Sequence, residues 1–359
     1  GEILGMASYP TFNLNDPRKL TGMYTDEEIK DMSDEEYRNN LYSLWTNYCV
    51  SESYEPGSTF KPVTVASALE EGVVKDGDTY VCKGFETVAD YKLKCHVFST
   101  IGSHGSLTVE QALMNSCNPY MIHLALEMGN SRFAYYQSLF GFGKITGIDL
   151  PGETTGIVYG DRMTTIDAAC NSFGQTINVN MMQMMAAYCS IINGGMLYQP
   201  HIVKRIESAN GEVVKEYKAN LVRQTITAST SKLLRRYLKN TVEEGTAKKA
   251  GVTGYSVAGK TGTAQKGDRK DNKWIISFIG HAPAENPKFA IYVVIDEPYG
   301  TTGTSGSSAD VLTLTHNILE KLLPYMNVYK DASDEYEDTS SSPDELTVDG
   351  IPAGTASSN

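Results

Sequence analysis

No stretch of this chain approaches the ~18 consecutive apolar residues that a membrane-spanning helix needs. Trp274–Ile279 and Ala290–Ile295 are apolar but short, and they read as buried strands. There is no initiator Met and no signal peptide. Gly1-Glu2-Ile3-Leu4 reads as the middle of a strand, so the expectation is a fragment of a longer protein. Basic residues are in deficit: 31 Lys and Arg against 43 Asp and Glu give a net charge of −12, which argues against nucleic acid as a partner. No Lys or Arg follows Lys330, while Asp331, Asp334, Glu335, Glu337, Asp338, Asp344, Glu345 and Asp349 do. Residues 329–359 are therefore expected to form a solvated, disordered acidic tail, and residues 1–328 the folded domain. No internal repeat is visible. What remains is a chain of 359 residues with ordinary apolar content, long enough to bury a large core.

Three short motifs stand out in that chain: Ser58-Thr59-Phe60-Lys61, Ser116-Cys117-Asn118 and Lys260-Thr261-Gly262. Each alone is weak. Ser58 could be only a helix cap, Asn118 a turn residue, and Lys260-Thr261-Gly262 a solvated strand end. The ordered set S-x-x-K, S-x-N, K-T-G is a signature of active-site serine enzymes that bind penicillin.

The surrounding pattern places the motifs. Pro56-Gly57 breaks the chain before Ser58, and residues 58–71 read as a helix stopped by Gly72. Ser58 and Lys61 then share one face, a turn apart. Pro119 biases Asn118 away from helical dihedrals, so the second motif reads as a loop between helices at 107–113 and 119–128. A short strand is expected at Ile3–Ser8 and a helix from Thr25 to about Leu44. Further helices are expected at 164–172, 180–192, 229–242 and 308–323. A hairpin over 202–218 turns at Asn210-Gly211, and strands are expected at 256–264, 273–282 and 289–297. Late strands flanked by helices, with a helical cluster between the first and third motifs, make an α/β plus all-α architecture.

Serine is a weak nucleophile until a base takes its proton. Lys61 can serve if it is neutral, and partial desolvation or a nearby cation such as Lys260 lowers a lysine pKa. Ser116 can relay a proton to a leaving nitrogen, and Asn118 can hold a substrate amide. Lys260, Thr261 and Thr263 can meet a substrate carboxylate, and Gly262 can let substrate backbone lie against the strand. The N–H groups of Ser58 and Thr263 can form an oxyanion hole. The sum is acyl transfer through a serine ester.

Longer stretches carry a resemblance. Tyr54-Glu55-Pro56-Gly57-Ser58-Thr59-Phe60-Lys61-Pro62, Pro151-Gly152-Glu153-Thr154-Thr155-Gly156, Phe173-Gly174-Gln175, Val257 through Gln265 and Asp296-Glu297-Pro298 resemble the class B penicillin-binding proteins. The likeness runs from Gly1 to roughly Tyr325 and is greatest to the septal and stage V sporulation protein D branch. It implies a transpeptidase fold with a five-stranded antiparallel sheet, flanking helices and a helical subdomain. It implies a D,D-transpeptidase that cross-links peptidoglycan stem peptides and is acylated by β-lactams, with no cofactor needed for catalysis. It also implies a location outside the cell membrane, held by an N-terminal anchor absent from this chain, and partnership with a glycan polymerase and a division or sporulation scaffold. By position, Ser58 is the nucleophile, Lys61 the base, Ser116 and Asn118 the second motif, and Lys260, Thr261, Gly262 and Thr263 the substrate strand. A carboxypeptidase or β-lactamase on the same fold is the nearest alternative, with Glu153 the acid to examine. A non-catalytic binding or scaffold domain is the alternative of another class. His281 has no assigned role.

Six Cys are unusual outside the cell, where paired thiols are expected. Cys82, Cys95 and Cys117 cluster around the second motif, with His96 and His104 nearby. Three thiolates and one imidazole complete a tetrahedral set for structural zinc, and His104 fits better than His96, whose adjacency to Cys95 would cramp a chelate. The spacing matches no standard short zinc motif. A Cys82–Cys95 disulfide with Cys117 free, or three unlinked thiols, stay open beside the zinc reading. Likeness to thiol-bearing members of this branch in anaerobic bacteria favours zinc. Cys49, Cys170 and Cys189 read as small apolar residues.

Overall fold

Period-two alternation in one strand organises the molecule. In the computed structural model, which describes residues 1–20, 24–267, 273–298 and 307–332, Lys273–Ala282 is the central strand of an antiparallel sheet, flanked by Ala258–Lys266 and Phe289–Asp296. Successive side chains point to opposite faces. Ile275 and Ile279 join a core with Phe60, Val63 and Tyr188. Ile276, Phe278 and Ala282 join a second core with Val311, Leu312, Leu319 and Leu323 of the C-terminal helix Ala309–Tyr325. Both faces of the strand are covered, which is why Trp274–Ile276 and Phe278–Ile279 are apolar on both.

The helix Lys61–Glu71 is the hub of the helical layer and is buried from Lys61 to Ala68. It packs against Asn118–Met128, Met181–Ile192 and Ala228–Glu243. Gly72 ends it in the left-handed region at φ 75°, a conformation that costs a glycine little. Reciprocal caps start neighbouring helices: Thr108 with Gln111, Thr164 with Asp167 and Asn180 with Gln183.

Several elements depart from the sequence reading. The helix expected from Thr25 to Leu44 is two, Asp26–Asp31 and Asp34–Trp45. Ser33 caps the second through Glu36, a local hydrogen-bond exchange that stops the first. The segment at 58–71 opens as a 3-10 turn, Gly57–Phe60, before the α-helix begins. Asn118 is helical, because Pro119 lies in the first turn, where its missing N–H has no partner to lose. The main sheet has three strands among the described residues, where five were expected. Ile3–Ser8 forms no strand: Glu2 bridges His201, and Ile3 and Met6, three apart rather than two, reach a small cluster around Val50 and Met182. Ordered packing also runs past residue 328. Asp331, placed in the tail by sequence, accepts from the Ser256 N–H at 2.7 Å and from its hydroxyl. The remaining tail, residues 333–359, lies outside the described residues. Among the described residues no helix is long and apolar enough to cross a membrane.

Candidate active site

The break at Pro56-Gly57 turns the chain so that Ser58 sits half-buried in the 3-10 turn, one turn before the fully buried Lys61. Gly57 has φ 57°, and a Cβ there would lie 2.5 Å from the Thr263 carbonyl oxygen, so turn and strand meet backbone to backbone. Ser116 arrives from the end of the Val109–Met114 helix with φ 53°, a strained value for a serine.

These segments bring the first two motifs into one hydrogen-bonded chain. The Ser116 hydroxyl lies 3.0 Å from Ser58 Oγ. Lys61 Nζ donates to Ser116 Oγ at 3.0 Å, to the Ser116 carbonyl at 2.6 Å and to Asn118 Oδ1 at 2.7 Å. Asn118 Nδ2 in turn donates to the Lys94 carbonyl at 3.3 Å. Ser58 and Lys61 are therefore linked through Ser116. With Lys61 an ammonium, the chain runs outward from the amine. With Lys61 neutral, the same distances allow it to run inward, from Ser58 to Ser116 to the nitrogen lone pair.

Burial lowers the Lys61 pKa to about 8, and charge on Cys95 and Cys117 opposes that shift. At pH 7 a group of pKa near 8 is neutral in about one molecule in ten. Lys260 is fully buried too, and its pKa is lowered well below the usual lysine value, first by burial and then by the Lys61 charge. Burial, rather than a charge on Lys260, is thus the first cause of the Lys61 shift.

The third motif enters on the edge strand Ala258–Lys266. Lys260 Nζ donates to the Thr261 carbonyl at 3.2 Å and to its hydroxyl at 3.3 Å, and Thr263 is half-buried. Gly262 has a packing reason besides the substrate contact expected of it. A Cβ there would collide with Ser277 Oγ and lie 2.8 Å from Thr59 Cγ2 and 2.9 Å from the Pro56 carbonyl, so the glycine is needed for packing under the Gly57–Phe60 turn. Sequence reasoning also missed the buried phenols beneath it. Tyr54 donates to Tyr292 at 2.7 Å, and Tyr292 lies 3.4 Å from Thr59 Oγ1. Tyr292 sits between Tyr54 and the turn at Thr59, with no short motif to flag it.

Glu153 is committed elsewhere. One of its carboxylate oxygens accepts from the Thr146 N–H at 2.7 Å and hydroxyl at 2.6 Å, the other from the Gly147 N–H at 3.1 Å, which pins the 146–153 loop. His281 is fully buried: its Nε2 faces the Ala284 carbonyl at 3.0 Å, so Nδ1 accepts from Tyr188 OH at 2.8 Å. Burial lowers its pKa to about 3, and it is a neutral imidazole that ties its strand to Tyr188 and to the Ala284 carbonyl.

Cys82, Cys95, His104 and Cys117 converge as the sequence suggested, with their donor atoms within 4.8 Å of one another. His104 Nδ1 is 3.5 Å from Cys95 Sγ and 3.8 Å from Cys82 Sγ. Tetrahedral zinc with ligands at ~2.0–2.3 Å separates its donors by about 3.5–3.8 Å. All three thiols are unlinked and buried. The Gly84 N–H donates to Cys82, that of Asn118 to Cys95 and that of Tyr120 to Cys117, which is the pattern thiolates require. A hydrogen bond from Cys117 holds Cys95 well below the ordinary thiol range and pushes Cys117 up. The four residues fit a metal ion, and two of them adjoin the second motif: Cys117 lies inside it, and Cys95 accepts from the backbone of Asn118.

A helical layer and an antiparallel sheet that bring S-x-x-K, S-x-N and K-T-G together define a penicillin-binding fold. The model of the penicillin binding protein transpeptidase domain matches residues 1–320, and the chain belongs to that family. It is 39% identical over 334 residues to stage V sporulation protein D of Bacillus subtilis, covering 91% of this chain and 48% of that protein. It is 31% identical over 338 residues to peptidoglycan D,D-transpeptidase FtsI of Escherichia coli K12, covering 92% of this chain and 51% of that one. The chain thus spans about half the length of these curated relatives. Among solved structures, penicillin-binding protein 3 of Mycobacterium tuberculosis complexed with aztreonam aligns with a TM-score of 0.72 at 29% identity, over 80% of this chain and 66% of that one. The D,D-transpeptidase domain of a peptidoglycan glycosyltransferase from Eggerthella lenta aligns with a TM-score of 0.74 at 26% identity, over 89% of this chain and 74% of that one.

Proposed function

We propose that this chain is the catalytic domain of a serine-type peptidoglycan D,D-transpeptidase, working on the outer face of the cell membrane in septal or sporulation wall synthesis. The observation that carries the reading is the unbroken chain Ser58–Ser116–Lys61–Asn118. Neutral Lys61 draws the Ser58 proton through Ser116, and Ser58 Oγ attacks the penultimate D-Ala carbonyl of the donor stem peptide. The Ser58 and Thr263 N–H groups receive the developing oxyanion. The same relay, run outward, protonates the leaving D-Ala nitrogen. Asn118 holds the donor amide, and Lys260, Thr261 and Thr263 face its terminal carboxylate. An amine of a second stem peptide then takes the acyl group from Ser58. β-Lactams follow the first half of this path. Glu153 is tied to its loop and offers no deacylating base, which weighs against the β-lactamase alternative.

Cys82, Cys95, His104 and Cys117 would hold one structural zinc ion. When bound, it ties the loop segments that carry Ser116 and Asn118, and four protein donors fill a tetrahedral shell. A glycan polymerase and a division or sporulation scaffold are the expected partners, from the family likeness. Intact-mass analysis after benzylpenicillin tests the acyl-serine step. The expected result is one stable penicilloyl adduct per chain, absent from Ser58→Ala. Hydrolysed antibiotic with no adduct would point to a β-lactamase, and intact antibiotic with no adduct to a binding or scaffold domain.

A further inference from the structure

A small two-stranded hairpin borders the second motif and has no part in the scheme above. Phe85–Val88 pairs with Tyr91–Lys94 in the register Phe85↔Lys94, Thr87↔Lys92. Alternation sorts its side chains onto two faces. Val88 and Leu93 turn toward the core. Phe85, Thr87, Lys92 and Lys94 occupy the other face, where both lysines are exposed. Lys92 Nζ stands 3.7 Å from the Phe85 ring centroid and 5.1 Å from that of Phe98, and Lys94 Nζ stands 5.0 Å from Phe98. Of the hairpin's two acids, Glu86 is on the opposite face, bonded to Tyr80, and Asp90 lies exposed in the turn. Among the described residues neither lysine joins an ion pair. Two ammonium groups are thus held over aromatic rings with no anion of their own, on a chain of net charge −12.

Their position gives them a use. The Lys94 carbonyl accepts from Asn118 Nδ2, so residue 94 flanks the amide that also meets Lys61. A donor amide held by Asn118 would therefore stand beside residue 94. We propose that Lys92 and Lys94 form an anion subsite that favours donors carrying a free carboxylate on the acyl arm, as in a stem peptide whose side-chain carboxyl is not amidated. This rests on the acyl-serine reading. The rings keep the ammonium groups from folding away, which lowers the ordering cost of meeting a carboxylate. Exposed pairs are individually weak, so the subsite acts on selectivity between donors rather than on turnover itself.

The test compares two cephalosporins that share one ring system, one with a free carboxylate on its acyl side arm and the other with the methyl ester. Rate constants for Ser58 acylation are taken by stopped flow at low salt. The expected ratio of acid to ester is about three- to fivefold, falling toward one in about 1 M NaCl, where the screening length is ~3 Å. Lys92→Gln/Lys94→Gln should bring the ratio to one, and Lys94→Glu should take it below one. Because each ratio is read within one variant, a general loss of rate cancels. A second pair, thioester stem-peptide donors with a free or amidated side-chain carboxyl, asks whether the natural donor is read the same way. A ratio of one in the wild type, or one unchanged by the lysine variants, would overturn the subsite while leaving the acyl-serine reading intact. Absence of any Ser58 adduct would overturn both.

Discussion

Replacing Ser116 by Ala isolates the relay. Lys61 Nζ has three acceptors, and only the hydroxyl at 3.0 Å is lost; the Ser116 carbonyl at 2.6 Å and Asn118 Oδ1 at 2.7 Å remain. The amine therefore stays where it is, and one lost hydrogen bond costs about 0.5–1.5 kcal/mol of stability. The rate should respond far more. General-base assistance contributes about 10²–10⁴, and if the proton of Ser58 reaches Lys61 only through Ser116, most of that factor disappears. We expect the benzylpenicillin acylation rate constant, measured by stopped flow, to fall at least a hundredfold, about 3 kcal/mol or more in barrier. Ser116→Gly, which accepts the φ of 53° without strain, should fall as far. A fall of less than tenfold in both variants, with the fold intact, would show that Lys61 takes the proton directly and would refute the relay.

Three further expectations follow from the same geometry. Lys61 must be neutral to accept a proton and its pKa is lowered to about 8, so the acylation rate should rise with pH and level off above about 8; a profile flat from pH 6 to 9 would contradict this. Gly262→Ala forces a methyl group against Ser277, Thr59 and the Pro56 carbonyl, so it should cost about 1–3 kcal/mol in thermal or denaturant unfolding and slow acylation at least tenfold. Purified protein should carry about one zinc per chain by elemental analysis. Cys95→Ser, or a strong chelator, should remove the metal, lower the melting temperature and slow acylation, whereas retention of metal in Cys95→Ser would disprove the ligand set.

Local chemistry explains what could be read from the chain. The three motifs were visible because each fixes residue types at short spacing, and the C-terminal helix and central strand because burial imposes a period. The zinc-type set was visible in composition, yet its geometry depends on the 82–104 segment folding back onto Cys117, which no spacing rule encodes. Three features were hidden for physical reasons. Pro119 was read as a helix breaker, although in a first turn it has no hydrogen bond to break. The packing constraint on Gly262 was hidden, because a close approach beneath a strand looks the same in sequence as one above it. Tyr54 and Tyr292 lie 238 positions apart, and only the packed sheet makes them partners. The Ser33–Glu36 cap that divides the early helix is legible as an S-x-x-E capping box, a signal the reading of one helix over 25–44 left unused.

The most direct test of the account is the fate of the acyl group. The protein is incubated with a stem-peptide thioester donor and a D-amino acid acceptor, and products are followed by mass spectrometry. The account predicts transfer to the amine in preference to water, with both products absent in Ser58→Ala. Hydrolysis alone, unaffected by added acceptor, would contradict it and identify a carboxypeptidase.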